Sequence, residues 1–461
     1  MEKILPGIEN IYLVGIGGVG MSGLALLLKK KGFNVWGSDT KSGPNVKMLE
    51  SEAIEVFIGH KAEHISSNID LLGYSSAVGR DNSEILQAKK LGINILKRGQ
   101  LLAKLCQGRK AVAVAGSHGK TTTTSLLGYL FTSLGYSPAI FLGGSPRDYS
   151  PQACWGDDYF IIETDESDGS FLYCHPWVSI ITNIDFEHLD YYKTIDNLRM
   201  SFLQFARQTK NKVFGCGDYP FVLDVISKVK GISFGWSKHN KVRGCNFRFD
   251  GNYSYFDLYI KGKFIVTAQV PLLGEHNCLN VLAVFAFFNY LGEDLNKVNQ
   301  ALTFFKGTKR RFQITATVNG VTFVDDYAHH PTEIKAVLKA AKLLKPKRIF
   351  VIVQPHRFSR VELLQAEFEE CFSEADKVVV TDIYSADEEN PGTISAECFC
   401  SKVAKKNTGD IEYIPKSRLH KLIPSLVKEG DIVLALGAGD INILAEGIID
   451  EFKKNRNQAQ C

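Results

Sequence analysis

The sequence predicts an α/β protein of three domains, on three observations. Two glycine-rich turns follow apolar strands roughly a hundred residues apart, at Gly15 and Gly116. Short apolar runs of strand length alternate with helical stretches along most of the chain. At 461 residues the chain is longer than one hydrophobic core sustains.

The first strand is read at Tyr12-Leu13-Val14, the turn at Gly15-Ile16-Gly17-Gly18-Val19-Gly20, and its helix at 21–31. The second strand, 35–39, ends in an acid, Asp39, about twenty residues beyond the turn. This is the GxGxxG pattern of a Rossmann-like domain. By itself it fits a dinucleotide cofactor, a substrate diphosphate, or close helix–strand packing with no ligand. Strands at 69–74 and 94–96 complete a domain assigned to residues 1–107.

The second domain, 108–311, opens on the apolar strand 111–115, the turn Gly116-Ser117-His118-Gly119-Lys120-Thr121-Thr122, and a helix at 123–134. Such a turn aims free N–H groups inward, and Lys120 adds a mobile positive charge, as in a P-loop ATPase-like cradle. Thr121 offers a hydroxyl to a Mg²⁺ that bridges phosphates. Only two residues separate Gly116 from Gly119, fewer than in the full pattern. A plain structural turn explains the glycines but leaves Lys120 and four consecutive threonines without a use, so ATP is the expected ligand. With ATP on the second turn, the first is expected to hold a diphosphate that belongs to a substrate.

Further strands are read at 159–163, 178–182 and 211–214, and the weaker alternation over 247–270 as a hairpin addition at the domain edge. Residues 281–288 read as a core helix too short to span a membrane. Glu163 ends a strand, where open α/β sheets present ligands, and suits Mg²⁺; a solvated acidic loop over 163–168 is the alternative. His188 lies among acids just past a strand and is either a metal ligand or structural. His276 and Asn277 begin a helix, where they meet a purine or where Asn277 only caps.

The third domain, 312–461, contains a hairpin around Asn319-Gly320 and strands at 348–353, 377–381 and 431–436. Gly437-Ala438-Gly439 then introduces a helix at 441–453, giving a second Rossmann-like sheet. Arg310 stands at the domain junction with a planar guanidinium suited to a phosphoryl or carboxylate group. Residues 325–331, including His329 and His330, are too dense in polar and aromatic groups for an ordinary loop. Arg357 and Arg360 are three apart and share a helical face.

Composition excludes other classes. A net charge of +4 and no dense basic stripe argue against nucleic acid as a partner. Ten scattered cysteines suggest neither a zinc site nor a disulfide scaffold. The absence of a signal peptide and of any 18-residue apolar run predicts a cytoplasmic chain with no membrane insertion.

Taken in order, these motifs resemble the Mur ligase family over nearly the whole chain. The marks are GIGGVGMSG at 15–23, GSHGKTTTT at 116–124, ETDESDGSF at 163–171, TNIDFEHLD at 182–190 and GEHNCLN at 274–280. KRRF at 309–312, DDYAHHP at 325–331, QPHRFSR at 354–360 and LGAGDI at 436–441 complete the set. The resemblance implies an ATP-dependent carboxylate–amine ligation in peptidoglycan synthesis. The short GIGG turn and the HHP motif favour the alanine-adding branch, with UDP-N-acetylmuramate and L-alanine as substrates, acting as a monomer or weak homodimer. It further implies that the Gly116 to Thr122 turn, with Ser117, His118, Gly119 and Lys120, grips ATP while His276 and Asn277 address adenine. One Mg²⁺ would sit on Thr121 and Glu163 and a second on His188. Gly15, Gly17, Gly18 and Gly20 would hold the UDP diphosphate, with Ser75 and Ser76 nearby. Lys120, His188, Arg310, His329, His330, Arg357 and Arg360 are the residues expected to run the chemistry, with the last domain as a lid.

Departures from the family pattern are Ser117 for Thr, Glu187 for Asp, Gln100 for an acid, and Arg199 in the region where relatives carry a carbamylated lysine. Competing readings are a relative that attaches an intact murein peptide, the same ligase taking serine or glycine, a nucleotide-gated binding protein without turnover, and a dehydrogenase. The last has no use for the second anion turn.

Overall fold

Runs such as Leu13-Val14 and Val112-Ala113-Val114 are fully buried, as parallel strands covered by helices on both faces require. The computed structural model describes residues 5–143, 153–386 and 388–458. The chain divides into two compact units, one of Met1–Arg248, Tyr255–Pro271 and Asn277–Thr308, the other of Phe249–Ser254, Leu272–His276 and Lys309–Cys461.

The first unit carries two sheets. One is formed by β1 (Asn10–Val14), β2 (Asn34–Asp39), β3 (Glu55–Ile58), β4 (Leu71–Tyr74) and β5 (Asn94–Lys97). Its strands are all parallel in the order β3-β2-β1-β4-β5. The order reverses between β1 and β4, which opens a crevice at their C-terminal ends. The Gly15 turn leaves β1 there, and Ser75 follows β4.

The other sheet has ten strands: β6 (Lys110–Ala115), β7 (Ala139–Phe141), β8 (Ala153–Cys154), β9 (Tyr159–Glu163), β10 (Val178–Ile181), β11 (Lys212–Cys216), β12 (Ile232–Gly235), β13 (Val242–Phe249), β14 (Ser254–Ile260) and β15 (Lys263–Val270). β6 lies inside it, parallel to β9 on one side and β10 on the other. The edge addition expected over 247–270 is built from β13, β14 and β15, with β15 at the sheet's end. The helix Glu275–Leu291 buries Phe285, Phe287 and Phe288, and Phe288 packs 5.1 Å from the Phe131 ring. Among the described residues no helix is long and apolar enough to cross a membrane.

The second unit has six strands: β16 (Gln313–Val318), β17 (Val321–Asp326), β18 (Arg348–Val353), β19 (Lys377–Val380), β20 (Asp410–Tyr413) and β21 (Asp431–Leu436). They run in the order β16-β17-β21-β18-β19-β20. Only the β16–β17 pairing is antiparallel; Asn319 and Gly320 join that hairpin with φ of 50° and 74°, the left-handed pair a two-residue turn demands.

A buried carboxylate holds the first sheet in register with its turn. Glu84 is 0% exposed. It accepts hydrogen bonds from the Tyr12 hydroxyl at 2.8 Å and the Ser38 hydroxyl at 2.6 Å, and lies 3.0 and 2.7 Å from Nδ1 of His60 and His64. The Ser38 carbonyl in turn accepts from the amides of Gly15 and Ile16 at 2.8 and 2.9 Å. Glu84→Ala removes the acceptor shared by the buried Tyr12 and Ser38 hydroxyls and is expected to cost about 2–3 kcal/mol, against about 1 kcal/mol for Glu84→Gln. Urea denaturation checks this, and equal losses would place the effect in volume rather than hydrogen bonding.

Candidate active site

β6 delivers its last apolar residue into a turn that only glycine can make. Gly116 has a φ of 136°, and a Cβ there would fall 2.1 Å from the Thr182 hydroxyl. Gly119 has a φ of 81°, and its Cβ would fall 2.5 Å from the Asn280 side-chain oxygen. The segment after β10 pins the turn from the side. The amide of His118 donates to Asn183 Oδ1 at 2.7 Å, Thr182 Oγ1 donates to the His118 carbonyl at 2.6 Å, and the Asp185 amide donates to Ser117 Oγ at 2.9 Å. The helix Lys120–Ser133, which starts three residues before the sequence reading, has no acid in its first turn to neutralise its positive end. Thr123 and Thr124 are spent on structure, bonding Asn280 Oδ1 at 3.3 Å and the Lys120 carbonyl at 2.9 Å. Thr121 instead donates to Glu163 Oε1 at 2.9 Å.

Lys120 is folded back onto its own turn. Its ammonium donates to Glu166 Oε1 at 2.6 Å, to the Ser117 carbonyl at 3.2 Å and to the Gly116 carbonyl. Burial acts to lower its pKa, but Glu166, with Glu163 and Asp165, outweighs burial and holds it above the usual lysine value. Glu166 is 1% exposed, and its Oε2 has no partner. His188, at a φ of 58°, places Nε2 3.6 Å from Glu166 Oε1 and 3.7 Å from Glu187 Oε2. Burial opposes protonation of this imidazole, and the two carboxylates override it, so its pKa is raised. One ligand atom from each of Glu166, Glu187 and His188 falls within 4.8 Å of the others. An orphaned carboxylate oxygen and an imidazole in one pocket fit a divalent cation, as does the oxygen pair of Thr121 and Glu163.

Glu166 carried no assignment from sequence, although it stands three residues past Glu163 in the acidic loop. Arg199 lies away from this cluster, paired with Asp196 at 3.0 Å and Asp224 at 3.4 Å and lying over the Phe221 ring. Gln100 accepts from the Lys97 amide at 2.9 Å and so caps a helix.

The first turn faces the same space. The Gly17 amide donates to Asp39 Oδ2 at 2.8 Å, so the acid closing β2 is bonded within the turn. The helix Val19–Lys30 has neither a side-chain cap nor an acid in its first turn. A cleft of about 310 Å³ is lined by Gly18, Gly20, Ser75 and Ser76 together with Lys120 and Glu163.

The other expected residues lie in the second unit, except Asn277, which is buried in the first. His276 is half-buried, and desolvation followed by the Arg311 charge pushes its pKa down to about 4. Arg310, at a φ of 57°, donates to the carbonyls of Gly437 at 2.6 Å and Gly439 at 3.3 Å and lies over Tyr327. His329 Nδ1 is 2.8 Å from the Tyr327 carbonyl. His330 is buried and caps the helix Pro331–Leu343, its Nδ1 accepting from the Thr332 amide at 3.3 Å. Arg357 has a φ of 68° and is 44% exposed, 3.9 Å from Glu388. Arg360 Nη1 lies 3.1 Å from Nδ1 of His356, a residue with no assignment from sequence. The His356 ring stacks on Tyr384 at 5.5 Å and 9° and lies 5.5 Å from His329. Strand ends thus gather His329, His356, Arg360 and Tyr384 at one edge of this sheet.

Three Mur ligase family models match successive parts of the chain. Residues 10–110 match the Mur ligase family catalytic domain, 114–288 the Mur ligase middle domain, and 310–439 the Mur ligase glutamate ligase domain. The chain is 39% identical to the UDP-N-acetylmuramate–L-alanine ligase of Carboxydothermus hydrogenoformans over 94% of each chain. It is 40% identical to the enzyme of the same name from Syntrophomonas wolfei over 95% of each. Among solved structures, the UDP-N-acetylmuramate–alanine ligase of Thermotoga maritima matches with a TM-score of 0.84 and 29% identity, covering 97% of this chain and 99% of that one. A murein peptide ligase of Psychrobacter arcticus shares the fold with a TM-score of 0.72 at 24% identity, covering 96% and 98%. With relatives this similar over this much of its length, the chain belongs to the Mur ligase family.

Proposed function

We propose that the chain joins L-alanine to UDP-N-acetylmuramate, driven by ATP, giving UDP-N-acetylmuramoyl-L-alanine, ADP and phosphate in peptidoglycan synthesis. One observation carries this reading: the glycines of the first turn line the same cleft as Lys120 and Glu163. A redox dinucleotide on the first turn has no use for a second phosphate cradle opposite it. A diphosphate-bearing substrate whose carboxylate must meet a γ-phosphoryl group does. The names of the relatives support both substrates. ATP and a UDP-sugar are cytoplasmic reactants, which supports a cytoplasmic location.

In this reaction the lactyl carboxylate attacks the γ-phosphorus, and an acyl phosphate and ADP form. The alanine amine attacks the acyl carbon, and phosphate leaves the tetrahedral intermediate. A carboxylate approaching a triphosphate meets strong repulsion, which pre-placed positive charge offsets. Lys120 exchanges Glu166 for phosphate oxygens, and the amides of Gly116 to Thr122 bind beside it. Thr121 and Glu163 would hold one Mg²⁺ and His188, beside Glu166 and Glu187, another; bound ions supply charge neutralisation on phosphate oxygens. We assign His276 and Asn277 to adenine, Arg310 to the phosphates, and Gly15, Gly17, Gly18, Gly20, Ser75 and Ser76 to the UDP moiety. His329, Arg357 and Arg360 orient alanine and the reacting carboxylate, with His330 acting through the helix it caps. The domains are assigned to 1–107, 108–311 and 312–461.

The reading is tested by phosphate release with UDP-N-acetylmuramate against alanine, serine, glycine and a murein tripeptide. Alanine is expected to lead serine and glycine by roughly 10- to 200-fold, since one small group is worth about 1–3 kcal/mol. A preference for the tripeptide overturns it.

Lys120→Ala leaves Glu166 buried with only the more distant His188 as a counter-charge, so a stability loss of about 3 kcal/mol is expected, relieved in Lys120→Ala/Glu166→Gln. Both variants should lose ligation by at least about a thousandfold. Near-normal turnover in the double variant would remove Lys120 from its role.

His356 is pushed down to about 3, first by burial and then by the charges of His329, Arg360, Arg357 and Arg310. Because its folded pKa lies below the ordinary 6.5, its stabilising contribution is complete above pH 6.5 and is lost as pH falls towards 3. The melting temperature should therefore fall between pH 6.5 and 4, and His356→Gln should flatten that decline. An unchanged slope in the variant would contradict the assignment.

A further inference from the structure

Arg98 begins the helix Arg98–Cys106 directly after β5 and lines the cleft that separates the two glycine-rich turns. Its Nη2 donates to Asp165 Oδ2 at 2.6 Å. Its Nη1 lies so near Gly20 that a Cβ on that residue would fall 2.6 Å away. The guanidinium therefore spans from the first turn of the helix Val19–Lys30 to the acidic loop after β9. Asp165 is held from behind, its Oδ1 accepting from the Ser167 amide at 3.0 Å and the Ser167 hydroxyl at 2.6 Å. It sits between Glu163 and Glu166, the acids bonded to Thr121 and Lys120. The neighbouring Gly99 packs so tightly on the segment after this loop that a Cβ would fall 2.4 Å from Ser170 Cβ. That contact fixes the backbone from which Arg98 projects.

We infer that Arg98 binds the diphosphate of the UDP-sugar with Nη1 while Nη2 keeps Asp165, so that occupancy of the first turn is felt by the loop that serves ATP. This rests on the substrate reading above. The helix Val19–Lys30 supplies amides to a diphosphate but no side-chain charge, having no basic residue in its first turn. Arg98 supplies that charge from another element, and its planar fork serves two acceptors at once, which an ammonium does less well. Binding of one substrate then pre-orders Glu163 and Glu166 for the other, and linkage makes the effect reciprocal.

The test is calorimetry on the full chain with UDP-N-acetylmuramate, with and without a non-hydrolysable ATP analogue and Mg²⁺, for wild type, Arg98→Ala, Arg98→Lys and Asp165→Asn. Wild type should bind the UDP-sugar at least about fivefold more tightly with the analogue present. Arg98→Ala should weaken the UDP-sugar by about 10- to 100-fold, raise its KM in step, and leave kcat and the affinity for the analogue alone within about threefold. Asp165→Asn should retain affinity for the UDP-sugar but lose the coupling, and Arg98→Lys should lose it as well. Arg98→Ala that binds the UDP-sugar like wild type overturns the inference. So does a variant that loses both ligands equally, which marks Arg98 as support for the fold. A wild type that takes no UDP-sugar overturns the substrate reading, and this inference with it; the two failures are distinct because the first requires wild-type binding.

Discussion

A half-buried ammonium and a buried carboxylate, Lys120 and Glu166 at 2.6 Å, set the terms for everything around them. Such a pair seldom stabilises a fold over an apolar alternative. On the proposed reading its value is that a positive charge is already largely dehydrated beside the turn, ready to exchange Glu166 for phosphate oxygens. The turn exists to bring backbone amides to the same place. Gly116 and Gly119 lack a Cβ because Thr182 and Asn280 occupy that volume, and the segment after β10 holds the turn through Asn183 and Ser117.

The same logic recurs at strand ends throughout. Parallel strands bury both faces and leave chemistry to their C-terminal loops. In the first unit those loops alternate charge: Arg98 against Asp165, Lys120 against Glu166, His188 between Glu166 and Glu187. A net charge of +4 over the chain conceals this concentration. In the second unit the edge gathers cations, and His356 stays neutral among them because burial and neighbouring positive charges forbid its protonation.

Much of this was legible from local patterns. Apolar runs placed the buried strands, and the two glycine-rich turns were found where expected, because a left-handed glycine before a helix is a local event. β3, β7, β8, β12 and β20 escaped notice; β20, Asp-Ile-Glu-Tyr, alternates polar and apolar residues at a sheet edge and lacks an apolar run. Glu166 looked like one acid among several, since nothing in its neighbours announces that one oxygen is buried without a partner. Arg98 and His356 draw their significance from residues far away in sequence, Asp165 and Tyr384. His330 and Arg310 stand in conspicuous motifs, but that one caps a helix and the other donates to turn carbonyls is visible only in the structure.

By itself the sequence determined the parallel α/β architecture and the position of both glycine-rich turns. These follow from backbone conformation and residue type within a few positions of each other. Only the tertiary structure decided that the two turns line one cleft, that Lys120 waits on Glu166 rather than Glu163, and that Arg98 bridges the turn and the acidic loop. Those outcomes depend on which strand ends the sheet order brings together. Burial then sets which charges keep a partner and which are left to meet a ligand.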